Sequence, residues 1–243
     1  MTSLQQILSP LRKAVDDYKM IASGDKIAVG LSGGKDSVTL LAGLVGLKRF
    51  YPEPFEVVAI RIDTGLAFNQ EEEKALEDYC KELGVLYHVE KTQIAEIVFD
   101  ERKEKSPCSL CANMRRGALN QTAKKLGCNK VALGHHRDDL IETFFLSMTY
   151  EGRLSTFQPV TYLNKADLTV IRPMLYVKES MIYSFSKDKP ILFNPCPVDK
   201  HTQREEIKTT IRELNDKYPT FKENLFRALI HEERQNLIKK PKD

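Results

Sequence analysis

Ser32-Gly33-Gly34-Lys35-Asp36-Ser37 stands between an apolar run, Lys26-Ile27-Ala28-Val29-Gly30-Leu31, and a helical pattern that begins Val38-Thr39-Leu40-Leu41 and continues through Leu44 and Leu47. A strand, a glycine turn and a helix start in direct succession make an anion cradle. Adjacent glycines let the backbone take φ > 0 and approach a ligand closely, while the new helix turns its unpaired N–H groups and positive dipole end toward that ligand. Ser32 and Ser37 add hydroxyls, Lys35 a cation and Asp36 a carboxylate suited to a metal ion. The spacing is not that of the kinase and GTPase P-loop, which needs four residues between its first glycine and Gly-Lys-Ser/Thr.

Outward from this loop, hydrophobic periodicity predicts strands at 26–31, 56–62, 86–90 and 130–133, with helices between them at 35–50, 71–83 and 109–126 and a short turn near 94–98. Such βαβα alternation predicts an α/β fold, a parallel sheet with helices on both faces. Ligands of such sheets bind beyond the carboxyl ends of the strands, where strand order reverses. That rule gathers three polar segments into one crevice: the Ser32 to Ser37 loop, Asp63-Thr64-Gly65 and Gly134-His135-His136-Arg137-Asp138-Asp139. Further on, 168–171 with Arg172-Pro173 reads as one more edge strand, and helices are expected at 179–187, 203–218 and 221–238. The last two, after Pro197 and Pro219, form a helical carboxy-terminal appendix. The resulting division is an amino-terminal helix (1–24), a catalytic domain (25–190) and a cysteine-bearing loop with carboxy-terminal helices (191–243).

At 243 residues and 42% hydrophobic content the chain can bury a full α/β core. It has no run of 18 apolar residues and no signal-peptide pattern, and its first 20 residues read as an amphipathic helix, so a soluble, cytoplasmic protein without membrane partners is expected. The net charge of +3 is mild, yet between Phe99 and Lys130 eight Lys or Arg face three acids. Arg102, Lys103, Lys105, Arg115, Arg116, Lys124 and Lys125 are therefore candidates for a track along RNA phosphates, a solvated helix face being the alternative.

Five cysteines without a secretory signal argue against a disulfide framework. Pro107-Cys108-Ser109-Leu110-Cys111 opens a helix beside Arg115 and Arg116, a setting that favours thiolate. Cys196 lies in a second segment, Asn194-Pro195-Cys196-Pro197. Three thiolates suit a 4Fe-4S cluster with one iron left without a protein ligand. A structural zinc completed by His201 or His88, and a dithiol redox pair, are equally open on the residues alone. Cys80 and Cys128 read as core residues. Asp138 can cap the helix that follows it, or the acidic pair Asp138-Asp139 can hold Mg²⁺ or take a proton; Asp63 has the same choice between a turn and the site. Arg172-Pro173 alone suggests a surface arginine.

The Ser32 to Ser37 loop resembles the S-G-G-x-D-S pyrophosphatase loop of ATP-pyrophosphatases, which cleave ATP between the α and β phosphates and transfer AMP to an acceptor oxygen. Taken in order with Cys108-Ser109-Leu110-Cys111, Arg115-Arg116-Gly117, the Gly134 to Asp139 segment, Ile171-Arg172-Pro173 and Pro195-Cys196, it is similar to the tRNA 2-thiocytidine synthetase family, TtcA. The likeness runs from about Leu11 to Ala228. It implies an adenine nucleotide α hydrolase-like fold, ATP and Mg²⁺, a 4Fe-4S cluster on Cys108, Cys111 and Cys196, and thiolation of a cytidine at tRNA position 32. Many family members carry a second cysteine shortly after the one in the proline loop, whereas this chain continues Pro197-Val198-Asp199.

Nucleotide contacts are expected from Ser32, Gly33, Gly34, Lys35, Asp36, Ser37, Asp63 and Gly134, all at strand ends facing the crevice, and Mg²⁺ on Asp36 together with Asp139. Lys35, Asp139 and Arg115 are the expected catalytic groups. AMP transfer to the 2-oxygen makes a leaving group, and sulfur then replaces it. A sulfur donor, a cysteine desulfurase or free sulfide, is a required partner beside tRNA, and a homodimer is one assembly open to the chain. A 2-thiouridine or lysidine type of RNA-modifying enzyme and a non-catalytic ATP-binding iron–sulfur sensor are the competing readings.

Overall fold

The computed structural model describes residues 2–102, 107–193, 195–196 and 203–237. Six strands, β1 (Asp25–Gly30), β2 (Phe55–Asp63), β3 (Leu86–Lys91), β4 (Lys130–Ala132), β5 (Val160–Leu163) and β6 (Leu168–Ile171), form one sheet in the order β3-β2-β1-β4-β6-β5. All neighbours pair in parallel except β5 and β6. The helices are α1 (Leu4–Asp17), α2 (Lys35–Lys48), α3 (Gln70–Glu82), α4 (Pro107–Lys125), α5 (Arg137–Glu151), α6 (Glu179–Ser186), α7 (Gln203–Lys217) and α8 (Phe221–Ile230), with a π-helical turn at Glu96–Glu101.

The inner strands β1, β2 and β6 are near-continuous apolar runs because both faces are covered, while the edge strands β3 and β5 are partly exposed. On one face Ala28, Val58, Ile60 and Val131 pack with Leu119 and Ala123 of α4. Residues one position along, Ile27, Val29, Val57 and Ala59, point the other way by the two-residue period and are buried on the face of α2, which touches β1 and β2. Helix α1 lies on α2, held by a Ser3–Gln6 capping box at its start and by close packing along its length. A Cβ added to Gly43 would stand 2.6 Å from Leu11, so the glycines inside α2 are where the two helices meet.

The sheet expectation holds, with two corrections. The strand 168–171 is not an edge: β6 lies between β4 and β5, and the edge is β5, absent from the sequence reading. Four residues behind Pro159 carry too little periodicity to stand out, and β5 exists by antiparallel pairing with β6, Val160 opposite Ile171 and Leu163 opposite Leu168. Helix α8 ends at Ile230, followed by a 3₁₀ turn at Glu232–Arg234.

Contact density divides the chain into two compact units, Met1–His136 with Gln158–Val198, and Arg137–Phe157 with Asp199–Asp243. The first holds the sheet, α1 to α4 and α6. The second holds α5, α7 and α8. Its inner contacts are ionic as well as apolar: Arg137 bonds Glu223 at 2.9 Å and stacks over Phe226, Lys222 meets Asp138 at 2.9 Å, and Phe145 packs edge-on against Phe221.

A buried polar knot ties the amino ends of β1 and β4. Asp25 accepts the Ala22 N–H and the Asn129 side-chain amide, each at 2.7 Å, and pairs with Lys130 at 2.6 Å; Lys130 also donates to the Met20 carbonyl. Burial pushes the Asp25 carboxyl up, but the Ala22 N–H, Lys130 and Asn129 together bring it below its ordinary value of 3.8. A carboxylate whose pKa is depressed on folding stabilises above its unfolded pKa and ceases to do so as the pH falls through the folded one. Lys130→Met leaves a buried carboxylate unpaired and should cost about 3 kcal/mol in urea denaturation at pH 7. The gap between variant and parent should narrow as the pH falls and close only below the depressed pKa of the parent's Asp25, where the carboxyl is neutral in both.

Candidate nucleotide and cysteine site

Strand order reverses between β1 and β4, and the loops that leave their carboxyl ends meet there. Gly33 has φ +84° and Gly34 is the residue before α2, with no side chain capping the helix's first N–H groups. Those groups are left for an anion. The loop is internally braced: Ser32 Oγ lies 3.1 Å from Ser37 Oγ, Ser37 donates to the Gly34 carbonyl at 2.9 Å, and Gly34 N–H reaches Ser32 Oγ at 3.3 Å. From the β4 side Gly134 comes so close that a Cβ there would stand 3.2 Å from the Asp36 carbonyl carbon and 3.3 Å from Ser37 N. His136, 3% exposed, places Nε2 3.6 Å from the Asp36 carboxylate.

Lys35 is held between two carboxylates, Asp36 at 2.8 Å and Glu179 of α6 at 3.1 Å. Burial disfavours its charge, but these two partners outweigh burial and raise its pKa above 10.5, so it is a full cation at neutral pH. Asp63, at the end of β2, accepts the Gly65 N–H at 3.0 Å and so closes the turn after its strand, while its carbonyl takes the Thr92 hydroxyl at 2.7 Å.

A segment from near the carboxyl end of the same unit lies across the loop. Leu192 N–H donates to the Gly33 carbonyl at 3.0 Å, its buried side chain fills the space a Cβ at Gly33 would need, and Phe193 N–H donates to Glu72 of α3 at 2.9 Å. Cys196 follows three residues later. At the start of α4, Cys108 is exposed and Cys111 half-buried. Burial raises the Cys111 pKa; the nearby Arg115 guanidinium lowers it, and the nearby Cys196 and Cys108 thiols raise it again. The expected thiolate-favouring environment is thus corrected for Cys111: lost hydration outweighs the guanidinium.

Among the described residues no three or more His, Cys, Asp or Glu side chains converge as a site for a metal ion. The zinc reading therefore finds no support among them; His201 lies outside the described residues, and His88 bonds Glu90 at 3.1 Å. A cluster binds each thiolate through a different iron, so its ligands stand farther apart than those sharing one ion. Cys108, Cys111 and Cys196 supply three thiols of that donor type, with the other two near enough to perturb Cys111, but among the described residues they do not stand as a formed ligand group. Cys80 and Cys128 are core residues, and burial with Glu77 pushes the Cys80 thiol up to about 11.

Asp138 is the second residue of α5 and not its cap, and it pairs with Lys222. Asp139 is 3.2 Å from Arg204 of α7, which also holds Glu142 at 3.0 Å. Arg172 is half-buried, not a surface residue, and donates to the Gln158 carbonyl at 2.6 Å. Burial, with Arg116 nearby, lowers its pKa to about 10. Of the basic track, Lys124 pairs with Asp167 at 2.8 Å and Lys125 lies 3.7 Å from Glu90; Lys103 and Lys105 are outside the described residues. His136, Glu179 and Leu192 are site neighbours that the sequence reading did not single out. His136 could have been found from its place in the Gly134 to Asp139 segment; the other two carry no local signal.

Residues 3–214 match the PP-loop domain family. The chain is 40% identical over 230 residues to the tRNA-cytidine(32) 2-sulfurtransferase of Geobacter sulfurreducens, covering 93% of this chain and 89% of that one. The chain belongs to the PP-loop family, among the tRNA-cytidine(32) 2-sulfurtransferases. Another PP-loop relative, the Pseudomonas putida enzyme of the same name, is 41% identical over 221 residues, 89% of this chain and 80% of its own. In fold, the PP-loop chain is similar to the U34-tRNA thiolase NcsA of Methanococcus maripaludis, solved with its 4Fe-4S cluster: TM-score 0.73 at 23% identity, covering 90% of this chain and 76% of that one. The adenine nucleotide α hydrolase-like architecture implied by the family resemblance is thereby shown. No described helix is long and apolar enough to cross a membrane.

Proposed function

We propose that this PP-loop protein is an ATP-dependent tRNA sulfurtransferase that adenylates the 2-oxygen of a cytidine, at tRNA position 32, and exchanges that oxygen for sulfur. The observation that carries the reading is the pinning of the Cys196 segment onto the phosphate loop by Leu192, in the unit that also holds Cys108 and Cys111. Activation and sulfur chemistry thus share one framework.

ATP phosphates seat on the N–H groups of Ser32 to Ser37, with Gly134 leaving room for the backbone to close on them and Asp63 lining the neighbouring loop. Lys35 exchanges a carboxylate partner for phosphate and neutralises the departing pyrophosphate. Asp36 would hold Mg²⁺, which would neutralise phosphate charge; Asp139, the other expected ligand, lies in the second compact unit, 3.2 Å from Arg204. A 4Fe-4S cluster on Cys108, Cys111 and Cys196 supplies, when bound, an iron without a protein ligand at which sulfur can be held. Arg115, near Cys111, stabilises negative charge that develops beside the cysteines as AMP departs. The basic residues Arg102, Arg116, Lys124 and Lys125 steer the RNA backbone, and an unpaired anticodon-loop base reaches the site without duplex opening.

The test is anaerobic reconstitution followed by incubation with unmodified tRNA, ATP, Mg²⁺ and sulfide. Nucleoside mass spectrometry should show 2-thiocytidine, with one pyrophosphate released per base and about four irons per chain. Zinc or no metal in a protein that leaves cytidine unchanged would overturn the proposal.

A further inference from the structure

We propose that Phe193 is a stacking platform for an unstacked nucleobase of the RNA substrate, an inference that rests on the RNA-modifying reading above. Phe193 is 75% exposed, more than Phe50, Tyr162 or Tyr183. A singly exposed apolar residue is ordinary on a protein surface, so exposure alone decides nothing. What distinguishes this ring is its mounting. Two consecutive peptide N–H groups are fixed on two different elements, Leu192 on the Gly33 carbonyl and Phe193 itself on the Glu72 carboxylate, and the Leu192 side chain is 5% exposed. The backbone that carries the ring is therefore held while the ring faces water, so ordering it on binding costs little.

Its place in the chain fits the occupant. Cys196 is three positions beyond Phe193, so their Cα atoms are at most about 11 Å apart. Cys196 is in turn a neighbour of Cys111, on which Arg115 sits, and Arg116 follows Arg115. Single-stranded nucleic acid is bound where aromatic faces stack bases and cations take the phosphates, and Phe193 stands on the segment whose Cys196 neighbours the helix that carries Arg115 and Arg116. Phe193 is thus a positioning residue, holding the loop strand so that the reactive base meets the sulfur site.

The experiment compares Phe193→Ala, Phe193→Leu and Phe193→Tyr in the reconstituted holoenzyme, using an anticodon stem-loop RNA as probe. Measured quantities are RNA affinity, thiolation kcat and KM, ATP affinity and the thermal midpoint. Loss of stacking should raise the RNA KM roughly tenfold to a hundredfold in the alanine and leucine variants, with ATP affinity and midpoint unchanged and the tyrosine variant close to wild type. If Phe193→Ala binds RNA as well as wild type while wild type thiolates it, the platform is wrong and the RNA-modifying reading stands. If leucine restores what alanine loses, the ring serves as apolar bulk and not as a stacking face, which also overturns the platform. If wild type neither binds nor thiolates RNA, both fall.

Discussion

Gly33→Ala is expected to lower ATP-dependent turnover about a hundredfold, the largest effect of any single methyl group in this chain. Two costs coincide. With φ at +84° an L side chain pays roughly 1–2 kcal/mol for the backbone alone. The new Cβ would also stand 2.5 Å from the Leu192 side chain, an overlap that costs about 1–3 kcal/mol more. Relief requires either that the phosphate loop leave its conformation or that the Leu192 segment lift off it, and each outcome disturbs the anion cradle or the cysteine segment. Gly84→Ala is the control, since it also has positive φ but nothing within 4 Å of its Cβ position. It should lose only about 1 kcal/mol of stability and keep full activity. Isothermal titration with ATP and pyrophosphate release for both variants check the contrast; equal behaviour of the two would refute the role given to Leu192.

Cys196→Ala should separate the two halves of the reaction. The phosphate loop keeps its contacts, because Leu192 and Phe193 are held by their own backbone bonds upstream of the cysteine. ATP affinity is therefore expected to stay within about twofold of wild type, while thiolation falls roughly a hundredfold or more, since removing a metal ligand costs at least what removing a supporting group does. Iron content and visible absorbance should fall in parallel. Retained thiolation with lost iron would exclude the cluster from the chemistry; retained iron would exclude Cys196 as its ligand.

What sequence reveals here depends on how local the cause is. The Ser32 to Ser37 loop and the strands around it are legible because a glycine pair, an apolar run and a helix pattern follow one another within about twenty residues. Cys80 and Cys128 are legible as core residues for the same reason, each lying in or beside a regular apolar pattern. β5 is not, because it exists only through pairing with β6. Glu179 reads as an ordinary acid in the first turn of a helix, and nothing near it in sequence announces that it will reach Lys35. Leu192 reads as one apolar residue in a proline-rich stretch, though it covers Gly33 from about 160 positions away. The Cys111 environment is not legible for a related reason. A nearby arginine is visible in the sequence, but the burial that outweighs it is a property of the folded whole.

The central position of β1 carries a consequence for how the chain is made. Its partner β4 lies far along the sequence, with Asn129 joining Asp25 across 104 residues. A ribosome adding about 5–20 residues per second leaves one side of β1 without its neighbour for on the order of 5–20 seconds. During that interval the strand that bears the phosphate loop presents an open hydrogen-bonding edge. The chain must protect that edge, by chaperones or by delaying collapse, until Asn129 and Lys130 emerge to close the sheet and bury Asp25.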